Sequence, residues 1–249
     1  MRTVTTVAHR GAPYHHRENT LGSLRAALEL GADAVEFDVR TTRDGVPVLL
    51  HDPTLNRLWE LDRPLAALSA AELRGLTADG VPTLADALLA TDDSRIMVDL
   101  PGADGPRAVR QVLDVVREYE AEDRVYYSAD PATVLAVREA APTAEIALTW
   151  KTLAPPRPAL LDAIRPRWLN YRFGLVTRAL ADRVHRDGCL LSVWTPDTRR
   201  SMRRLMDLGV DSITTNRIDA LCLLRDGQGP TPTPRTAAPP SPRPPARFG

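Results

Sequence analysis

Between residues 4 and 226 short β-branched runs alternate with longer stretches of helical period, and this alternation constrains the fold more than any other feature. Strands separated by helices lie parallel, because returning to the same end of a sheet takes a crossover of a dozen or more residues. The runs fall at 4–9, 34–39, 95–99, 124–128, 145–149, 167–171, 190–194 and 211–215. Helical patterns lie between them, for example at 20–30, 83–90, 105–121, 131–140, 177–187 and 198–208. Gly31, Gly188 and Gly209 follow three of these patterns, where a helix ends readily in a left-handed residue. Eight such strands predict one α/β domain over residues 1–226, closed as a (β/α)8 barrel of ordinary size.

A ninth run, 46–50 (VPVLL), has no helix before it, only the turn residues around Asp44-Gly45. Asp-Gly is a strong signal for a two-residue hairpin loop. Such a loop pairs Arg43 with Val46 and, further out, Asp38 with His51. VPVLL then becomes the return arm of a hairpin rising from the second strand, and the barrel keeps eight strands. The stretch 52–94 carries a helical pattern after Ser69 and is too short for a large insertion over the site, so an open, permissive site is expected.

Composition narrows the function classes. The 32 basic and 32 acidic side chains cancel, so no long-range positive field draws in nucleic acid. Hydrophobic residues at 43% and charged residues at 26% fit a globular protein with a sizeable core. From residue 227 to 249 proline dominates and apolar periodicity is lost, which predicts a disordered Pro-rich tail. Cys189 and Cys222 are too few to staple this chain and have no zinc spacing. The first residues lack the apolar stretch of a secretory signal, and no run approaches the length of a membrane span. A cytoplasmic protein without stable membrane insertion is expected, its oligomeric state open.

The polar residues gather at strand ends. His9 and Arg10 close the first strand, Glu36 and Asp38 alternate near the end of the second, and Asp99 closes the third. In a barrel these positions mark the C-terminal rim, where active sites lie. Strand periodicity turns Glu36 and Asp38 to one side and Phe37 to the other. Carboxylates so close repel one another unless a cation sits among them, and one hard divalent ion, Mg²⁺ or Ca²⁺, suits oxygen ligands. His9 and His51 beside that ion could divide general acid and base work at phosphorus, with Arg10 a forked donor to phosphate oxygens. Glu18 and Asn19 precede a helix that Asn19 or Thr20 would cap, and capping is the expected role of Asn19. Asn170 and Arg172 also fall on this rim, without an assigned role.

HRG (9–11), ENT (18–20) and VEFDVRTTRDGVPVLLHDPTLNR (35–57) together resemble the signature of glycerophosphodiester phosphodiesterases. VPTLADAL (81–88), VWTPD (193–197) and GVDSITTN (209–216) resemble further segments of that family. The resemblance implies a TIM (β/α)8 barrel that hydrolyses glycerophosphodiesters to glycerol 3-phosphate and an alcohol with one divalent metal. It implies His9 and His51 as acid and base, Arg10 on phosphate, Glu36 and Asp38 on metal, and Trp194 as an apolar wall beside the small-molecule substrate.

The chain departs from the family pattern after the third strand. Asp99-Leu100-Pro101 stands where the family usually has Glu-x-Lys. Asp99, the expected third ligand, is one methylene shorter, and a phosphate-binding lysine is absent. Lys151, the chain's only lysine, is the expected substitute, placed just past the fifth strand. The altered motif leaves two alternatives: a related barrel phosphodiesterase for lysophospholipid or sphingomyelin-like esters, or a non-catalytic member. Intact His9 and His51 argue against the second.

Overall fold

Alternate positions of each strand bury against different partners, and this sets both layers of the molecule. The strands of the computed structural model are β1 (Thr5–His9), β2 (Ala34–Thr41), β3 (Pro47–Leu49), β4 (Arg95–Asp99), β5 (Val125–Ala129), β6 (Glu145–Trp150), β7 (Trp168–Arg172), β8 (Leu190–Trp194) and β9 (Ser212–Thr215). The structure describes residues 4–91, 94–102 and 105–227. The tail expected at 227–249 therefore lies, but for Gly227, outside the described residues. All strands but β3 are parallel, in the order β1-β2-β4-β5-β6-β7-β8-β9, and β9 pairs back onto β1 to close the barrel. Val7, Ala34, Met97, Tyr126, Ala147 and Trp168 fill the inside with an apolar layer. Their neighbours, among them Ala8, Phe37, Val98, Leu148 and Leu191, belong to the larger core beneath the helices.

The helices are α1 (Leu21–Glu29), α2 (Asn56–Trp59), α3 (Ala70–Thr77), α4 (Leu84–Ala90), α5 (Pro106–Glu118), α6 (Pro131–Ala140), α7 (Pro158–Ile164), α8 (Arg178–Arg186), α9 (Arg199–Asp207) and α10 (Ile218–Arg225). Local chemistry starts many of them. Ser69 with Glu72 and Thr83 with Asp86 form capping boxes on α3 and α4, and Asp130 caps α6. Among the described residues no helix is long and apolar enough to cross a membrane.

The hairpin register differs from the expected one. Val39 pairs with Leu49 and Thr41 with Pro47, and the Leu50 N–H donates to the Asp38 carbonyl at 3.0 Å. Asp38 therefore faces Leu50, and His51 lies one residue further on. The cause is a three-residue loop, 43–45, closed by Thr42 and Val46. The Thr42 hydroxyl donates to Asp44 Oδ1 at 2.6 Å and accepts from Val46 N–H at 3.0 Å, and Gly45 is left-handed at φ +84°. The segment after the hairpin packs a small core of its own from Val48, Leu50, Leu55, Leu65 and Leu73.

Candidate active site

Register alone brings the acidic residues together. Asp38 on β2 pairs with Asp99 on β4, Glu36 sits two residues back on the same inward face, and His9 on β1 pairs with Glu36. Glu36, Asp38 and Asp99 each offer an oxygen within 4.8 Å of the others. Burial, then the Asp38 charge, pushes the Glu36 carboxyl well above the usual range. Burial, then Asp38 and Glu36, pushes Asp99 up to about 8. Protein groups offset this charge only in part: the Arg10 N–H donates to Glu36 Oε2 at 2.8 Å, and its Nε lies 3.0 Å from Asp38 Oδ2. Three carboxylates this close, with Glu36 and Asp99 both shifted toward the protonated form, make a donor set that fits a hard divalent cation.

Asn19 orients this cluster. Its Nδ2 donates to Asp38 Oδ2 at 2.8 Å, and its Oδ1 accepts from the Asp38 N–H at 3.2 Å. The capping role expected of Asn19 falls instead to Thr20, whose side chain accepts from Ser23 N–H at the start of α1. Asn19 is buried and left-handed at φ 56°, a backbone state that Asn tolerates better than most residues. That turns its amide inward.

Each histidine is fixed through Nδ1. His9 Nδ1 lies 2.7 Å from Asn216 Oδ1, and Asn216 in turn donates from N and Nδ2 to the two Asp197 oxygens at 3.0 and 2.8 Å. Burial, then the Arg10 charge, lowers the His9 pKa against the opposing bond to Asn216, favouring the neutral ring. His51 Nδ1 lies 2.6 Å from Asp52 Oδ1. Arg57 Nε donates to the other Asp52 oxygen at 2.5 Å, and this bond first, with that to His51, holds the Asp52 carboxyl at about 2. In both rings Nε2 is the nitrogen left for chemistry.

One cavity of about 220 Å³ joins these groups: His9, Arg10, Glu36, Asp38, His51 and Asp99 all line it. Lys151 and Trp194 line it too, so every expected site residue meets at one place. Lys151 is exposed at its edge, just past β6. Asn170 lines the floor, its Nδ2 3.3 Å from Thr149 Oγ1. His51 is 41% exposed at the mouth.

Reading the sequence missed the supports behind the histidines: Asn216, Asp197, Asp52 and Arg57. Asp197 and Asn216 close the VWTPD and GVDSITTN segments, at the ends of β8 and β9. Their place on the rim was a usable signal; their pairing across strands was not.

The model of the glycerophosphoryl diester phosphodiesterase family matches residues 9–220. The chain belongs to that family. It is accordingly a phosphodiesterase with a TIM barrel fold. A glycerophosphodiester phosphodiesterase of Caldanaerobacter subterraneus subsp. tengcongensis is 28% identical over 244 residues, 91% of this chain and 100% of the relative. Among solved structures, a glycerophosphodiester phosphodiesterase of Thermotoga maritima superposes with TM-score 0.78 at 22% identity, covering 90% of this chain and 99% of that one. A phosphodiesterase of Oleispira antarctica, in complex with the product sn-glycerol-3-phosphate, gives TM-score 0.80 at 21% identity, covering 89% and 96%. At those identities the structural likeness bears on the fold.

Proposed function

We propose that this chain hydrolyses glycerophosphodiesters to glycerol 3-phosphate and an alcohol, with His9 and His51 as the acid/base pair. One observation carries this reading: two histidines, each held by a polar partner at Nδ1, line the same cavity as three clustered carboxylates. Glu36, Asp38 and Asp99 would hold one divalent cation, Mg²⁺ or Ca²⁺, which when bound supplies Lewis-acid charge stabilisation at the phosphoryl oxygens. His9, kept neutral by burial, takes a proton from the attacking water as the new P–O bond forms. His51, held at Nδ1 by Asp52, gives a proton to the departing alkoxide as the old P–O bond breaks. Arg10 offers a fork to the phosphate, and Lys151 restores the cation lost at Pro101. Trp194 forms the apolar wall beside the glycerol or alcohol part. The buried free thiols of Cys189 and Cys222 suit a reducing, cytoplasmic setting.

The test is release of glycerol 3-phosphate from glycerophosphocholine and glycerophosphoethanolamine in Mg²⁺, Ca²⁺ or EDTA. Lysophosphatidylcholine and bis(p-nitrophenyl) phosphate run alongside. Release with metal and loss in EDTA is expected; turnover confined to lysophosphatidylcholine would move the reading to a lysophospholipid enzyme. Lys151→Met is expected to lower kcat/KM about tenfold or more, the loss of one charge-assisted phosphate contact. An unchanged kcat/KM would remove Lys151 from the site.

A further inference from the structure

Glu18 and Arg57 have no part in the chemistry described above, yet they join its two ends. Arg57, on α2, reaches Glu18 with both terminal nitrogens, NH2 to Oε1 at 2.6 Å and NH1 to Oε2 at 3.0 Å. Its Nε takes Asp52 Oδ2 at 2.5 Å, leaving Asp52 Oδ1 for His51 Nδ1 at 2.6 Å. Glu18 Oε1 also accepts from Arg10 NH1 at 2.7 Å. An unbroken line of charge-assisted bonds thus runs Arg10–Glu18–Arg57–Asp52–His51.

An isolated exposed ion pair contributes little. This chain differs in two respects. Its inner end is sheltered, with the Arg10 and Glu18 side chains each 15% exposed. Its centre is a fork on a carboxylate, which fixes the plane of the guanidinium as well as its distance. The two groups it connects arrive on separate segments: Arg10 follows β1, and His51 follows the hairpin arm β3. Barrel register positions the first but not the second, because β3 stands outside the closed barrel.

We propose that Glu18 and Arg57 are positioning residues, which set His51 against Arg10 and temper the hold of Asp52 on the His51 proton. The inference rests on the roles of Arg10 and His51 proposed above. The charged and titratable groups around His51 are Asp52 in its own loop, Arg57 on α2, Arg40 on β2, whose Nε donates to the His51 carbonyl at 2.6 Å, and, across the shared cavity, His9, Arg10, Glu36, Asp38, Asp99 and Lys151, with Glu18 behind Arg10. Of these, Arg57 shares the carboxylate that His51 uses. Removing it leaves Asp52 wholly to His51, strengthens the imidazolium and makes it a slower acid.

The experiment compares Arg57→Ala, Glu18→Gln and their double variant with the wild type in the full chain. The His51 titration is followed by NMR, and kcat and KM are measured on glycerophosphocholine against pH. Arg57→Ala is expected to move the His51 titration and the basic limb of kcat to higher pH, and to lower kcat/KM about tenfold or more. Glu18→Gln is expected to raise KM, and the double variant to fall short of the product of the single effects. Arg57→Lys, which keeps the charge and loses the fork, is expected to restore the titration but not the full rate; it also serves if the alanine variant does not fold. An unmoved His51 titration with fully multiplicative losses would mean two ordinary surface ion pairs and overturn the proposal. The NMR titration needs no substrate, so an inactive wild type would sink the proposed function while the positioning role was still being measured.

Discussion

At the scale of single residues, the site is defined by what its carboxylates cannot do alone. Asp99 is pushed up to about 8 by burial and by Asp38 and Glu36, so the metal-free folded protein holds a proton there that the unfolded chain releases near pH 4. Where the native state binds more protons, stability falls as pH rises. The contribution is fully present below about pH 4, the unfolded value, and is lost as pH climbs through about 8. Chelated protein is therefore expected to melt at progressively lower temperature across this window, and Mg²⁺ or Ca²⁺ at pH 8 to recover most of the loss by mass action. Asp99→Asn should reduce the pH dependence, leaving the part that Glu36 contributes, and weaken the response to the cation. A melting temperature in EDTA that stays level from pH 5 to 8 would contradict the account.

At the scale of elements, strands were legible because their signal is local. Every barrel strand lies within about two residues of its expected span, since β-branched runs between turn residues admit little else. α7 fills the interval between β6 and β7, the one crossover for which the pattern marks no helical span, and Pro158 at its first turn costs no helical bond. The hairpin slipped by one residue because Asp-Gly serves two- and three-residue loops alike, and only the Thr42 side chain decides between them. Asn216 behind His9 was hidden for another reason: a contact 207 residues apart leaves no local trace. The turn between β1 and α1 shows how an element holds a site. Gly11 is left-handed at φ +82°, and a Cβ there would lie 2.5 Å from the backbone carbonyl of Ser23. Gly11→Ala must displace either α1 or the Arg10 backbone that donates to Glu36. We expect a loss of roughly 1 to 3 kcal/mol in urea denaturation, with weaker metal binding by calorimetry; a stable variant with wild-type metal affinity would show that the turn can relax.

At the scale of the whole molecule, the barrel divides its tasks between its two ends. The C-terminal ends of the strands carry the charged cavity, whereas the N-terminal ends carry the contacts that close the ring. The last described helix is tied there to the first strands: Arg225 NH1 donates to Asp33 Oδ1 at 2.7 Å and to Thr6 Oγ1 at 3.1 Å. Asp33 Oδ2 also accepts from the N–H and hydroxyl of Thr6, both at 2.8 Å. This clasp joins residues 192 apart in sequence, so it forms only when β9 has closed against β1. Its Arg225 side chain is 15% exposed, too sheltered for water to replace the lost bonds freely. Arg225→Met keeps most of the apolar stem and deletes the donors, and is expected to cost about 1.5 to 3 kcal/mol of stability by urea denaturation. Because no clasp residue lines the charged cavity, kcat/KM on glycerophosphocholine should stay within about twofold of wild type at 25 °C, as for a change remote from the proposed site. A variant that lost turnover while keeping its stability would mean that the two ends of the barrel are coupled, and the division of labour drawn from the topology would fail.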